Sequence, residues 1–540
     1  MGAISTYVQK IHTSLQGMST VRISSFVEEH IAAKPILHPK ATEKAPDLSA
    51  MIYSILRLPS DIFEAKTLVF GQSDSVFEHH NYMVTDSAWK NTTAVARSRK
   101  CKYNKRTKTI ALFVSSISDV EDAVTILTAL YIEMAKLNRN MTDHARTLEE
   151  CFSVEELAKM QELLGDKWHA FARAVKELVD YEITLLAGSL VDYSKIVQEW
   201  WVHIASARKK YPVNVYNQPI YFVSSNSHSL INVLSGFPLQ QKKFLFQDNA
   251  ERLEKNKKDF KSEGIPEEHV CYYLSRFSEN RHPKFLKEKL EREKSLGLYR
   301  MEAFHNIDIE AQIFSIRDVI NNPHMDKRLR LTTAQKKKLA QSNALIVNIA
   351  YPLGMAAYSI LREVSENAHD MRGVYIMGKA ASLNATVGDI TIPNYTHDLH
   401  TKNTFFIENC FDVPDFTPYV TKNSILSQQK GLTVRGTYLQ SEESLHKNAQ
   451  EGYSIIEMEA GPYLNRLYEM LYPLRYPEGE TVNINPEFRL GMAYYVSDTP
   501  HKKGLNLGAK RLTWEGLNGT YAISLGIIKD IFNTELKTNK

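Results

Sequence analysis

The sequence predicts a two-part α/β protein, and three observations carry that prediction. At 540 residues the chain is too long for one ordinary hydrophobic core, so at least two domains are expected. Its second half repeats apolar strands that end in turns and feed helices, as in Leu345–Ile349 before MAAYSILREV and SIIEM before AGPYLNRLYEML. Its first half shows helical stripes instead: Leu157, Met160 and Leu164 share a face, and Trp168, Phe171, Val175 and Leu178 continue at helical spacing.

Composition narrows the function. With 43% hydrophobic and 24% charged residues this is an ordinary globular chain, and a formal charge of +4 argues against a dedicated nucleic-acid binder. Cys101, Cys151, Cys271 and Cys410 are scattered without metal-ligand spacing. That suits a reducing cytoplasm and argues against a zinc site. No apolar run approaches the length of a membrane span. A cytoplasmic protein with no metal or cofactor and no membrane partner is the expectation.

Residues 1–50 read as a separate segment, since KPILHPKATEKAPDL has the prolines and lysines of a connection. A mainly helical domain is expected over 51–210. It holds one visible strand, TKTIALFVS, and capping-box patterns at Ser118 with Glu121 and at Ser153 with Glu156. Arg97, Arg99, Lys100, Lys102, Lys105, Arg106 and Lys108 form the densest basic stretch, read as a solvated hairpin tip with an anion site as the sharper alternative. The helices look like core, so this half is expected to modulate function and to supply no catalytic residue.

A second domain is expected over 211–535, opening with PIYFVSSNSHSLINVLSG as strand, polar turn and helix. A charged insertion follows at 248–300, since residues 251–300 hold 23 charged residues, and it reads as solvated helices. Residues 536–540 are a polar tail. Val374–Met377 reads as a strand, and Gly378, Ala380, Ala381 and Ser382 as a small-residue turn whose backbone could approach an anion; a second strand follows to Ile392. Glu457 and Glu459 flank Met458 where a strand turns into a helix, so alternation sends both carboxylates to one side, one toward a ligand and the other held by backbone. Asp498 follows the apolar strand LGMAYYVS and emerges at its carboxyl end, where open α/β sheets place ligands.

In this order the motifs resemble the nucleoside phosphorylase and nucleosidase superfamily: a strand and glycine turn before VGD, then IIEMEAG, then VSDTP. VSDTP, YTHDLH, LGAKR and the final NGTYAISLGIIKDIF are most similar to the AMP nucleosidase branch, over roughly residues 340–535. The resemblance implies a phosphorylase-like mixed central sheet flanked by helices, and cleavage of the N-glycosidic bond of a purine nucleotide or nucleoside in a homo-oligomer. It implies Asp498, with Ser497, as the acid that protonates the leaving base, and Glu459, Met458 and Glu457 as the ribose site. Gly378, Lys379, Ser382, Ser224 and His228 would hold phosphate or activate water, and Tyr438 or Leu439 would face the base. His397, Asp398 and His400 are possible helpers or simply a polar loop, and Lys502, Lys503, Lys510 and Arg511 could bind phosphate or face water. The chain departs from the family pattern as well: SSNSHS lacks a water-activating Glu, Tyr375 to Met377 hold no arginine ahead of Gly378, and Tyr494 stands where some relatives carry Arg. Inorganic phosphate is a candidate second substrate. A purine nucleoside phosphorylase and a non-catalytic nucleotide sensor are the alternatives.

Overall fold

The computed structural model describes residues 2–97, 99–114, 116–189, 193–206, 217–301, 309–436, 442–472, 478–500 and 514–538. Its strands fall into two sheets. The first comprises β1 (Thr20–Arg22), β2 (Thr67–Gly71), β3 (Trp89–Thr92), β4 (Cys101–Asn104), β5 (Thr109–Phe113) and β6 (Glu182–Leu185), in the order β1-β6-β2-β5-β4-β3. Parallel pairing of β2 with β5 and β6 puts the apolar runs TLVFG and TIALF in the middle, where both faces are covered. The Ile117–His144 helix crosses this sheet and buries Leu127 and Leu130 against Leu68, Phe70, Ile110 and Leu112.

Residues 1–50 differ from the expectation of a separate segment. Tyr7, Ile11 and Phe26 are fully buried in that same core, and β1 pairs with β6. The amphipathic opening has an apolar face that only this core covers, and the Tyr7 hydroxyl donates to Thr128 Oγ1 at 3.2 Å. The basic stretch divides in two. Lys105, Arg106 and Lys108 are exposed at the β4–β5 turn, as expected of a hairpin tip, whereas Arg99 is buried against Asp119 and Asp122.

The second sheet is mixed and larger: β7 (Ile220–Ser225), β8 (Leu298–Met301), β9 (Ala311–Ser315), β10 (Leu345–Ala350), β11 (Met371–Ser382), β12 (Ile390–Asp398), β13 (Thr404–Ile407), β14 (Ile425–Thr433), β15 (Tyr453–Glu457), β16 (Thr481–Ile484) and β17 (Arg489–Asp498). The order is β16-β13-β12-β14-β15-β11-β7-β10-β9-β8, with β17 joining β11 to β12. Strands β11, β17, β12, β14 and β15 therefore pair in a closed ring, and β7 to β10 extend it as an open sheet. The apolar helix Leu517–Thr538 packs on one face, while Ala356–Asn367 and Ala460–Leu471 cover the other. The α/β expectation with a mixed central sheet holds.

Two local features differ from the sequence reading. GKAAS is not a turn, because β11 runs unbroken from Met371 to Ser382 and the chain reverses only after Leu383. Gly378 is small for packing: a Cβ there would come 2.8 Å from the Tyr494 ring. The charged insertion forms the helices Ala250–Ser262, Glu267–Arg281 and Pro283–Ser295, which also build a small core of their own from Phe237, Leu245, Phe260, Leu274 and Phe285.

Candidate active site

Sheet topology creates an opening beside the small residues of β11. One edge of that strand follows β17 from Gly373 to Ala381. The other edge pairs with β7 as far as Ile376, then with antiparallel β15 only at Ala381 and Ser382. Residues 377–380 face the gap where β7 and β15 part, and a crevice between diverging neighbours at the carboxyl ends of strands is where α/β sheets place ligands. The strand registers set opposite residues around it. Asp498 and Ile456 are both partners of Ala381, so the end of β17 and the end of β15 lie about 10 Å apart, two strand spacings.

Asp498 is nearly buried at the last position of β17, and the Ser497 hydroxyl lies 2.7 Å from its Oδ2 and 3.3 Å from the Ala380 carbonyl. One hydroxyl proton can serve only one of these acceptors, so Ser497 can donate to the Asp498 carboxylate or release it toward a ligand. Across the gap, Glu457 is spent on structure. Its Oε2 accepts from the backbone N–H of Glu459 at 2.7 Å and of Ala460 at 2.6 Å, and its Oε1 accepts from the Thr433 hydroxyl. These are orphan donors at the start of the Ala460–Leu471 helix, so Glu457 caps that helix and orients the turn that presents Glu459.

Burial raises the titration of both carboxyls; the charge of Glu457 adds to it at Glu459, and that of Asp398 adds to it at Glu457. Three donated hydrogen bonds favour the ionised form of Glu457, so the shared proton belongs on Glu459. Met458 is buried beside Ala381, Leu432 and Ile456, forming an apolar wall.

Lys379 projects from β11 with much of its side chain accessible, yet its ammonium is pushed below the usual lysine range. Desolvation is the largest cause; Asp498 and Glu459 oppose it, and Arg57 and Arg97 add to it. Accessibility and desolvation are compatible on the wall of a cleft, where solvent enters but protein surrounds the charge. Tyr351 and Tyr495 stand nearby, since each acts on the titration of the other, and Tyr351 also responds to Glu459.

The remaining expected site residues go elsewhere. Ser224 is buried in β7 between Ile349 and Ile376. Ser382 donates to the Ser454 carbonyl and accepts from the N–H of Ala385, closing the turn after β11. His228 opens on a cavity of about 530 Å³ walled by Arg276, Glu279, Lys289, Glu293 and Arg300 of the insertion and β8, and none of Lys379, Glu459 and Asp498 lines it. Burial, followed by the charges of Arg276, Lys289 and Arg300, keeps that imidazole neutral. Asp398 is a fully buried hub that accepts from His400, Thr401 and Asn465, so this loop is structural. Tyr438, Leu439, Lys502, Lys503, Lys510 and Arg511 lie outside the described residues. No cluster of potential metal ligands occurs among the described residues.

Sequence reasoning missed Arg57 and Arg97, which come from the first unit and act on Lys379; Arg97 also acts on Glu459. The available signal was the basic stretch itself, which marks Arg97 but not the face it would meet.

A sequence profile described as a family of unknown function (DUF6909) matches residues 23–533, so the chain belongs to that family. No curated protein matches. Solved structures that match include a methylthioadenosine phosphorylase from an antarctic soil metagenomic library, at 9% identity and a TM-score of 0.26, covering 34% of this chain and 71% of that one. A putative methylthioadenosine nucleosidase from Weissella paramesenteroides matches at 11% identity and a TM-score of 0.27, covering 45% and 95%. A putative 5′-methylthioadenosine/S-adenosylhomocysteine nucleosidase from Borrelia burgdorferi, bound to adenine, matches at 10% identity and a TM-score of 0.29, covering 57% and 99%. No helix among the described residues is long and apolar enough to cross a membrane.

Proposed function

We propose that this member of the family cleaves the N-glycosidic bond of a purine nucleotide, releasing the free base, with AMP as the leading substrate. The observation that carries the reading is the Ser497–Asp498 pair at one end of the crevice facing Glu459 at the other, with Lys379 between them. As the bond from C1′ to N9 stretches, positive charge grows on the ribose and negative charge on the base. Asp498 in its protonated form would deliver that proton to the base nitrogen N7 and make it a better leaving group, water would add to C1′ as the bond breaks and return a proton to the Asp498 carboxylate, and Ser497 would hold that carboxyl in place. Glu459 would accept hydrogen bonds from the ribose hydroxyls, and its ionised form would favour the cationic sugar of the transition state. Glu457 serves through the turn it caps. Positive charge growing on the ribose beside Glu459 would favour its ionised form, whereas an anionic phosphate would favour its protonated form.

The test is to incubate the full chain with AMP, adenosine and their guanine and hypoxanthine counterparts, with and without inorganic phosphate, and to measure free base. Adenine from AMP without phosphate is expected. Release only from nucleosides, and only with phosphate, would make it a purine nucleoside phosphorylase. Tight nucleotide binding with no base released under any condition would leave a nucleotide sensor.

A further inference from the structure

Among the described residues, the second sheet brings to the crevice an acid, a ribose acceptor and one cation, Lys379. The first unit lies against the mouth of the crevice. The loop after β10 holds Gly354 at a φ of +54°, and a Cβ on that residue would come 3.0 Å from the Ser118 hydroxyl at the start of the Ile117–His144 helix. The Lys34–Leu37 helix packs on the Glu442–Gln450 helix at the same junction.

The surface of the first unit at this junction is prepared for an anion. Ser116 and Ser118 are 5% and 1% exposed, and neither hydroxyl has a hydrogen-bond partner, although Ser116 occupies the N-cap of a 28-residue helix and would ordinarily bond its first turn. Buried hydroxyls left without partners are uncommon and call for a reason. One turn along the same face, Asp122 holds Arg97 with Nη2 at 2.5 Å from its Oδ2. Arg97 Nε donates to the same Oδ2 at 3.2 Å, and of the two N–H groups on Nη2 the one turned away from Asp122 has no acceptor. Arg99 is engaged with Asp119 and Asp122 and neutralises what Arg97 leaves. Arg57, its guanidinium 3.6 Å above the Tyr53 ring, adds a further charge close enough to act on both Asp122 and Lys379. A long helix directs its positive end to the same place as these arginines.

We propose that the first unit supplies the phosphate-binding half of the active site, with Arg57, Arg97 and the Ser116 and Ser118 hydroxyls facing Lys379 across the junction to hold a phosphoryl group. That group is the 5′-phosphate of a purine nucleotide or free phosphate acting as nucleophile. The inference rests on the nucleoside-cleaving reading of the second sheet and names what that reading lacked. It accounts for the empty hydroxyls, for the incompletely satisfied guanidinium and for a depressed lysine facing two arginines, since a bound dianion would partner all of them. It also assigns the N-terminal half a part in substrate binding, where the sequence suggested modulation alone.

The experiment compares wild type with R97Q, R97K and the double variant S116A/S118A, all as full chains. Binding of AMP and of adenosine is measured by calorimetry, and binding of inorganic phosphate by thermal shift. The ratio of AMP to adenosine affinity is expected to fall at least tenfold in R97Q and severalfold in S116A/S118A, with R97K intermediate. If R97Q raises the KM for AMP in phosphate-free buffer, the 5′-phosphate is the ligand; if it raises the KM for phosphate in cleavage of adenosine, free phosphate is. An unchanged ratio in folded R97Q and S116A/S118A overturns the proposal while leaving base release intact. Should R97Q fail to fold, the serine variant decides, because removing these two hydroxyls breaks no hydrogen bond. If wild type neither binds nor cleaves AMP or adenosine, the function reading fails, and the anion site is then judged on phosphate alone: a thermal shift in wild type that R97Q or S116A/S118A abolishes sustains it, and no shift in wild type overturns it.

Discussion

Replacing Glu457 by Ala separates the two neighbouring carboxylates, because the geometry gives them unlike jobs. In E457A the N–H groups of Glu459 and Ala460, now bonded at 2.7 and 2.6 Å, lose their acceptor, and the Thr433 hydroxyl loses its own. A buried donor left unmade costs about 1–3 kcal/mol, and loss of a helix cap about 0.5–2 kcal/mol. The expectation is a loss of roughly 2–3 kcal/mol, a drop of a few degrees in Tm for a unit of this size. E459Q should behave oppositely. Glu459 titrates above its unfolded value, so as pH rises above about 4.5 the unfolded chain releases a proton that the folded chain retains, and wild type loses stability until its folded pKa is passed. The glutamine variant carries no such loss, so its Tm relative to wild type should rise between pH 5 and pH 8. The assay is thermal denaturation of both variants at these two pH values, with AMP binding measured in parallel. E457A melting with wild type, together with an E459Q that loses several degrees at both pH values, would refute the division into cap and ligand residue.

D498N should lower kcat for base release about a hundredfold or more with little change in the Kd of AMP, because the acid acts only as the bond breaks; a change confined to binding would remove Asp498 from the chemistry. G461A should lower Tm in spite of its gain of about 1 kcal/mol in helix propensity, since the added Cβ would come 2.5 Å from Cγ of the buried Asp398 and overpacking of that kind costs about 1–3 kcal/mol; an unchanged or higher Tm would count against the Asp398 hub. Burial pushes the His269 imidazole down to about 3, with Nδ1 bonded to Asn518 Oδ1 at 2.9 Å and Nε2 accepting from Arg328 at 2.7 Å. Below pH 6.5 the unfolded chain takes a proton that this histidine refuses, so stability should fall by about 2 kcal/mol between pH 6.5 and pH 5, and H269Q should show a shallower fall over that window in denaturant titrations.

Much of the second unit was legible in the sequence because its signals are local. Apolar runs such as LGMAYYVS and SIIEM are long enough to specify buried strands, and Asp498 and Glu459 follow directly from where those strands end. The separation of Glu457 from Glu459 was half legible: alternation put both on one side, and only the Thr433 hydroxyl on β14 and the amides of the following turn decide which one is held. GKAAS misled for a physical reason. Small residues serve a turn that needs backbone freedom and a strand that needs room for a neighbour, and the Tyr494 ring packed over Gly378 is a tertiary fact that no local window contains. Residues 1–50 misled similarly: the prolines and lysines of 34–46 read as a connection, yet Lys34–Leu37 is a short helix, and Tyr7 and Ile11 ahead of it find a core built from β2 and β5.

Charge was the least legible property. In sequence, Arg97, Arg99 and Lys105 to Lys108 form one basic run, and a run of like charge is ordinarily solvated. Folding divides that run by strand position. The lysines at the β4–β5 turn meet water, whereas Arg99 and Arg97, just ahead of β4, meet the first turns of the Ile117–His144 helix, where Asp119 and Asp122 fix them. The same helix leaves Ser118 pointing at Gly354 of the other unit, so the residues that hold the arginines also set where the helix end lies. A cation is therefore missing ahead of Gly378 in the sequence, while the charges of Arg57 and Arg97 act on Lys379 from the other unit. Motif comparison within the second unit reads that absence as a lost nucleophile site. The proposed phosphate site makes it a relocation, and the two differ in what a chain beginning near residue 211 could do: with the arginines gone, it would retain Asp498 and Glu459 but is expected to bind a nucleotide no better than a nucleoside.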